Sequence, residues 1–259
     1  MIRTIRAEWT RLTRPRALLA AVASGAAFAV LVTTVIMLTL EATPNSTGLF
    51  TSALQAPGGA TMPVTTGMAF GSVVVLAMFV AMSAGGYSRG TWRASLLHQP
   101  GRWSLATGQF LARWALLVLV CTVVMVVGWM TATLLAPGQG VDTSLWLTAE
   151  AFREAVGVFL RMIGFVAGWG LLGTLLGTLT RSVPVGLGIG LVWAGPLENV
   201  IGDDVSFAPS YFPGLLLRGV IAPMSTQVDQ ARIGITLLAY AVACLVVLGL
   251  VLRRRDVTA

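Results

Sequence analysis

Gly86, Ser88 and Gly90 spell the G-x-S-x-G pattern of a serine nucleophile. That motif works where a strand-turn-helix elbow presents the hydroxyl beside a histidine and an acid. Here it follows an apolar run. The only histidine, His98, lies ten residues on, and no Asp or Glu occurs between Glu41 and Asp142. A hydrolase built on Ser88 therefore needs an acid from a distant part of the chain. Gly186, Gly188 and Gly190 resemble a nucleotide-binding glycine run, but that motif needs a preceding strand and an acid about 20 residues on. The context here is an apolar helix, where closely spaced glycines serve packing. Lysine is absent: all 17 basic residues are arginine. A phosphate-binding loop needs its lysine to reach the β- and γ-phosphates, so this chain cannot bind ATP that way. Cys121 and Cys244 both lie in apolar runs, and no metal-ligand spacing occurs.

Ionisable residues inside apolar runs are the remaining candidates. Glu150, Arg153, Glu154 and Arg161 open one such run. An intramembrane Arg161 requires a partner, and Glu154 is the nearest acid, so a structural ion pair between them is expected. Glu198 follows Gly195-Pro196 and reads as a solvated boundary carboxylate, with a place on a substrate path as the alternative.

The composition says what must position these groups. The 259 residues are 56% hydrophobic and 10% charged, with a mean hydropathy of +0.84. A soluble domain carries about 25% charged residues, and a membrane-spanning helix needs ~20 apolar ones. The chain is thus expected to be an all-α integral membrane protein with one domain, residues 1–259. Six spans are predicted near 17–40, 67–86, 109–135, 150–179, 183–201 and 233–252. The net charge of +7 comes from arginines at the ends of the runs. They fit topology determinants and contacts to anionic membrane lipids better than a nucleic-acid surface.

Residues 1–16 form an amphipathic segment with Ile2, Ile5, Trp9 and Leu12 in one stripe, expected to lie in the membrane interface. The run from Ala17 to Leu40 is longer than a signal h-region and ends in no clean cleavage site, so it reads as an uncleaved span. Residues 41–66 hold no basic residue and suit an external loop. The second span carries Phe70, Met78, Phe79 and Met82, which pack against core or lipid and also make an adaptable wall for an amphipathic substrate. Gly164/Gly168 and Gly173/Gly177 are G-x-x-x-G pairs for close helix contact, within the subunit or across a dimer. Gly195-Pro196 interrupts the fifth span, and residues 197–223 are too broken to cross again. They are read as an outer re-entrant segment. With six spans, 13 of the 17 arginines fall on one side together with both termini.

The most informative stretch is Gly85 to Arg113, with four arginines and no acid. Arg89 and Arg93 lie four apart and would share a helical face, with Leu96 and Leu97 next and a break at Pro100-Gly101. It reads as a short amphipathic cytoplasmic helix in a loop, 87–108, that presses against a partner. The stretch resembles the loop between the second and third spans of ABC-2-type transporter permeases. There a Gly-Thr-x-Arg, two leucines and a proline recur, at Gly90, Thr91, Arg93, Leu96, Leu97 and Pro100 of this sequence. Glu8-Trp9 resembles that family's elbow helix, Leu176 to Ser182 its turn between spans four and five, and Arg254 to Val257 its C-terminal signature. The chain departs from the family at Gly86 and Gln109, where an acid and a lysine are common.

The resemblance implies a transport subunit, not an enzyme, in the cytoplasmic membrane of a bacterium. A second permease subunit, the same or a sister chain, would complete the dimer. ATP and magnesium would sit on a separate cytoplasmic ATPase, with no cofactor on this chain. Arg89, Gly90, Thr91, Arg93, Leu96, Leu97 and Pro100 would couple to that ATPase, as would the elbow with Ile5, Trp9 and Leu12. Phe70, Met78, Met82, Trp193 and Glu198 would line the path of an exported amphipathic molecule such as an antibiotic or lipid. An ion-coupled secondary transporter using Glu154 or Glu198, and the Ser88 hydrolase, stay open as alternatives.

Overall fold

The computed structural model describes residues 2–39, 51–98, 101–198, 200, 205, 207–223, 226 and 228–254. Pro100 and the C-terminal residues 255–259 lie outside the described residues. The described elements are helical throughout. In chain order they are α1 (Ile2–Leu12), α2 (Pro15–Leu38), α3 (Thr51–Leu54), α4 (Met62–Ser88), α5 (Thr91–His98), α6 (Arg102–Leu135), α7 (Ala149–Thr180), α8 (Val183–Val192), α9 (Ala208–Tyr211), α10 (Pro213–Ile221) and α11 (Gln230–Arg254). Short 3₁₀ turns cover Gly59–Thr61, Ala136–Gln139 and Ser144–Leu147.

Among the described residues, five helical stretches are long and apolar enough to cross a membrane: Pro15–Leu38, Gly59–Ser88, Arg102–Gln139, Ala149–Thr180 and Gln230–Arg253. The chain is a multi-pass membrane protein. The predicted fifth span differs. Its helix α8 has ten residues, a rise of about 15 Å against a hydrocarbon core of ~30 Å. A π turn over Trp193–Leu197 follows, holding Pro196, whose ring nitrogen cannot donate a helical hydrogen bond. The third span begins at Arg102, seven residues before the predicted 109, because Trp103, Leu105 and Ala106 continue its helical packing surface. Among the described residues between 197 and 223 are two short helices, α9 and α10, each with a proline in its first turn.

The chain divides into two compact units. The second, residues 13–69 and 117–163, has a core of Met37, Leu54, Ala60, Ala132, Ala136 and Trp146. The Trp146 indole donates to the Leu54 carbonyl at 2.7 Å, so a segment expected to be plain external loop is tied down. The first unit, residues 1–12, 70–116 and 164–259, is organised around α4. Gly173 and Gly177 of α7 lie against Leu76, Phe79, Val80 and Ser83 of α4, and Gly186 and Gly190 of α8 lie against Val80 and Leu76. The Gly173/Gly177 pair therefore packs within the subunit. Gly168 meets Leu217 of α10, whereas a side chain at Gly164 would meet no atom within 4 Å.

These contacts make a prediction. Gly177→Val places methyls against the α4 backbone and is expected to cost about 1–3 kcal/mol, the usual penalty of overpacking. Gly164→Ala is expected to be neutral or mildly stabilising. Melting temperatures of the two variants in the same detergent check the contrast.

Candidate functional site

α4 ends at Ser88, and the chain turns through Arg89 and Gly90 before α5 begins at Thr91. Gly90 has φ +66°, a left-handed conformation that L side chains rarely adopt, and open space surrounds it. This turn corrects the expectation that Arg89 and Arg93 share a face. They sit on opposite sides of a helix break, and Arg89 folds back so that its Nε donates to the Gly85 carbonyl at 3.1 Å. The face that α5 does present carries Arg93 and Leu97, four apart, with Leu97 83% exposed.

The opposite face is anchored by a residue that the sequence reading passed over. Trp92 is buried with Leu105 and Leu252, and Leu96 packs against them. Tyr87 stacks on Trp92 with ring centroids 5.0 Å apart, and the Arg181 guanidinium lies 5.1 Å from the Tyr87 centroid. Arg102 donates to the Leu252 carbonyl at 2.7 Å, holding the start of α6 to the end of α11. So α5 is a short helix with one face fixed and one face bare. Thr91 is exposed there, and its hydroxyl donates to the Gly86 carbonyl at 3.1 Å.

α1 packs through a stripe that shares only Leu12 with the apolar one. Thr4, Glu8 and Leu12 are buried, whereas Ile2 and Trp9 are exposed and Ile5 is half-buried. Glu8 is the reason. It is only 7% exposed, and its Oε1 accepts from Arg113 Nε at 3.2 Å and from Arg11 at 2.6 Å. Arg113, on α6 and 3% exposed, also donates to Ser83 Oγ on α4 and to Gln109 Oε1, both at 3.2 Å. One guanidinium thus ties three helices together. The signal for this cluster was an arginine inside an apolar run with an uncharged stretch around it, which demands an acid from elsewhere.

Glu198 corrects a second expectation. It is not a solvated boundary group but is 2% exposed. Its Oε1 accepts from Trp193 Nε1 at 2.7 Å and from the Gly214 amide at 3.1 Å. Gly214 lies in the first turn of α10, whose amides have no helical acceptor, so a carboxylate there satisfies both dipole and hydrogen bond. A side chain at position 214 would collide with the Glu198 carboxylate. The carboxylate is committed to holding α10.

The expected Glu154–Arg161 pair is absent among the described ion pairs, which join Glu8 to Arg11 and Arg113. Seven residues of helix separate the two groups by about 10.5 Å. Glu154 is exposed, and Arg161 Nε is buried without a hydrogen-bond partner. Phe70 is 73% exposed, while Met78 and Met82 are half-buried and Trp193 is exposed. Ser88 is exposed, its hydroxyl 3.5 Å from the Gly85 carbonyl. Among the described residues no three His, Cys, Asp or Glu side chains cluster as a metal site. No family model, curated protein or solved structure matches the chain.

The buried cluster carries a prediction. Glu8→Ala leaves Arg113 charged and unpaired, which is expected to destabilise by about 3–5 kcal/mol. Adding Arg113→Leu is expected to recover most of that loss. A double-mutant cycle in thermal or denaturant unfolding checks the coupling; additive losses would contradict it.

Proposed function

We propose that this chain is the transmembrane subunit of an ATP-driven exporter of the ABC-2 type, working as a pair of permeases with a separate cytoplasmic ATPase. The observation that carries this reading is α5, a surface helix pinned by Trp92 and presenting Arg93 and Leu97 outward. A helix held rigidly on one side and bare on the other is suited to receive a partner's motion and pass it to the spans behind it. Its inner face rests on Leu105 of α6 and Leu252 of α11, so a push on α5 reaches two helices directly.

Other features support the same reading. The chain has no lysine with which to build a phosphate loop, so ATP hydrolysis belongs to another chain. The interfacial α1 is clamped by Glu8 to α6 and α4, which couples the elbow to the bundle. In this reading α8 and its π turn belong to the fifth span in chain order, and α9 and α10 form the outer gate. Both termini and α5 then share the cytoplasmic side with most of the arginines. The transported molecule is amphipathic, and Phe70, Met78, Met82 and Trp193 belong to its route.

The carboxylate required by an ion-coupled transporter is less readily supplied, because Glu198 is occupied as the cap of α10. The hydrolase reading has no support from Ser88, whose nearest hydrogen-bond acceptor is a backbone carbonyl.

Purification in mild detergent from the native host, with co-purifying chains identified by mass spectrometry, tests the assignment. A near-stoichiometric protein with a Walker A motif is the expected result, and its absence under conditions that preserve a known ABC complex would overturn it. Arg93→Glu with Leu97→Asp is expected to weaken that complex by about 10–100-fold, the loss for one buried apolar anchor. The melting temperature should hold, since both residues are exposed. Ser88→Ala should leave transport intact.

A further inference from the structure

A cavity of about 720 Å³ lies within the first unit, walled mainly by α6, α7, α10 and α11. Its lining follows α11 from Gly234 to Leu252 and α7 from Gly164 to Thr178. Over that stretch α11 rises about 27 Å, close to the ~30 Å of a hydrocarbon core. The cavity is thus an elongated slot, along which an extended hydrocarbon chain can lie.

The slot is largely apolar, and Arg113 is the charged residue among those that line it. Thr174 and Thr178 spend their hydroxyls on carbonyls of their own helix, at 2.8 and 2.7 Å. At the Thr178 end stand Ser83, Gln109 and Arg113. Arg113 has five N–H donors, of which three meet Glu8, Ser83 and Gln109. Arg11 shares the same Glu8 oxygen, so two guanidinium charges face one carboxylate. The cluster retains a positive charge and unused donors. Along the side, Leu238 and Leu245 line the slot and are also exposed, so it opens onto the surface of a helix that spans the membrane.

We propose that this slot is a binding site for an acyl chain of an anionic membrane lipid, with the headgroup at Arg113. The chain enters sideways between Leu238 and Leu245. Its methylenes fill the space that neighbouring side chains leave empty, and the headgroup's negative charge neutralises the excess left by Glu8. The site requires only that the protein be embedded in a bilayer and is independent of what the protein transports.

Purified protein in phosphatidylcholine nanodiscs, titrated with phosphatidylglycerol spin-labelled near its chain end, tests this. The expected spectrum contains a motionally restricted component that saturates at a single lipid per protein chain. Phosphatidylcholine bearing the same labelled chain should bind more weakly. Gly164→Leu and Gly234→Leu fill the slot from opposite walls. A Cβ at either position meets no atom within 4 Å, and glycine is the poorer helix former, so folding is expected to hold, which the melting temperature of each variant checks. Each is expected to weaken the restricted component by at least about tenfold, the loss when two methylenes are denied burial. An unchanged component in folded variants would mean ordinary boundary lipid and overturn the proposal. Equal binding of the two wild-type probes would overturn it without any variant. Probe binding that rises as a protein dimer dissociates would place a second copy in the slot and likewise overturn it.

Discussion

A charge inside an apolar medium must be answered from within the protein, and the Glu8–Arg113 pair is where this chain meets that demand. Arg113 lies on a helix long and apolar enough to cross a membrane, and stripping water from its guanidinium costs several kcal/mol unless a carboxylate takes its place. The acid comes from α1, the segment least committed to the bundle by its own composition. The pair therefore does more than neutralise. It fixes the azimuth of α1, burying Thr4, Glu8 and Leu12 and leaving Ile2 and Trp9 exposed. Through Ser83 and Gln109 the same guanidinium sets the approach of α4 to α6.

Around that cluster the first unit is assembled by close helix contact rather than by large interlocking side chains. Where Gly173 and Gly177 meet α4, backbones approach to distances that only glycine allows, and Gly186 and Gly190 make room for the Val80 and Leu76 side chains. This is the packing expected among lipid tails, where apolar side chains gain little by leaving the solvent and dispersion between close surfaces carries the association. The second unit solves its problem differently, with Trp146 filling the space beneath α3 and its indole nitrogen tied to Leu54.

Much of the fold was legible from the lengths of the apolar runs, since the bilayer sets the helix length directly. Spans near 150–179 and 233–252 match α7 and α11 within a few residues. The short helix after Gly90 was also legible, because arginines and leucines crowd between two breaks. Its facing was not: a left-handed Gly90 separates Arg89 from Arg93, and counting by fours across a break has no meaning. Trp92 was passed over because its burial depends on Leu252, 160 residues away. The Glu8–Arg113 pair failed for the same reason, as proximity across 105 residues is a property of packing and not of local pattern. Glu154 attracted Arg161 in the reading only because it was near in the chain. Glu198 was misjudged because a carboxylate beside Gly-Pro suggests water, whereas the unbonded amides of α10 supply the same hydrogen bonds in a dry place.

The π turn at Trp193–Leu197 changes how the neighbouring sequence tolerates insertions and deletions. A wide turn accommodates one residue more than an α turn, so it acts as a phase shifter between the helix before it and the segment after it. Upstream, Gly186 and Gly190 keep their register against α4; downstream, Glu198 is rotated to meet the start of α10. Losing one residue here would relax the turn to ordinary α geometry and leave the carboxylate at nearly the same angle around the axis, because the wide turn already absorbs the extra residue. A one-residue deletion is therefore absorbed more easily at this turn than within α8, where it would rotate the glycines away from α4.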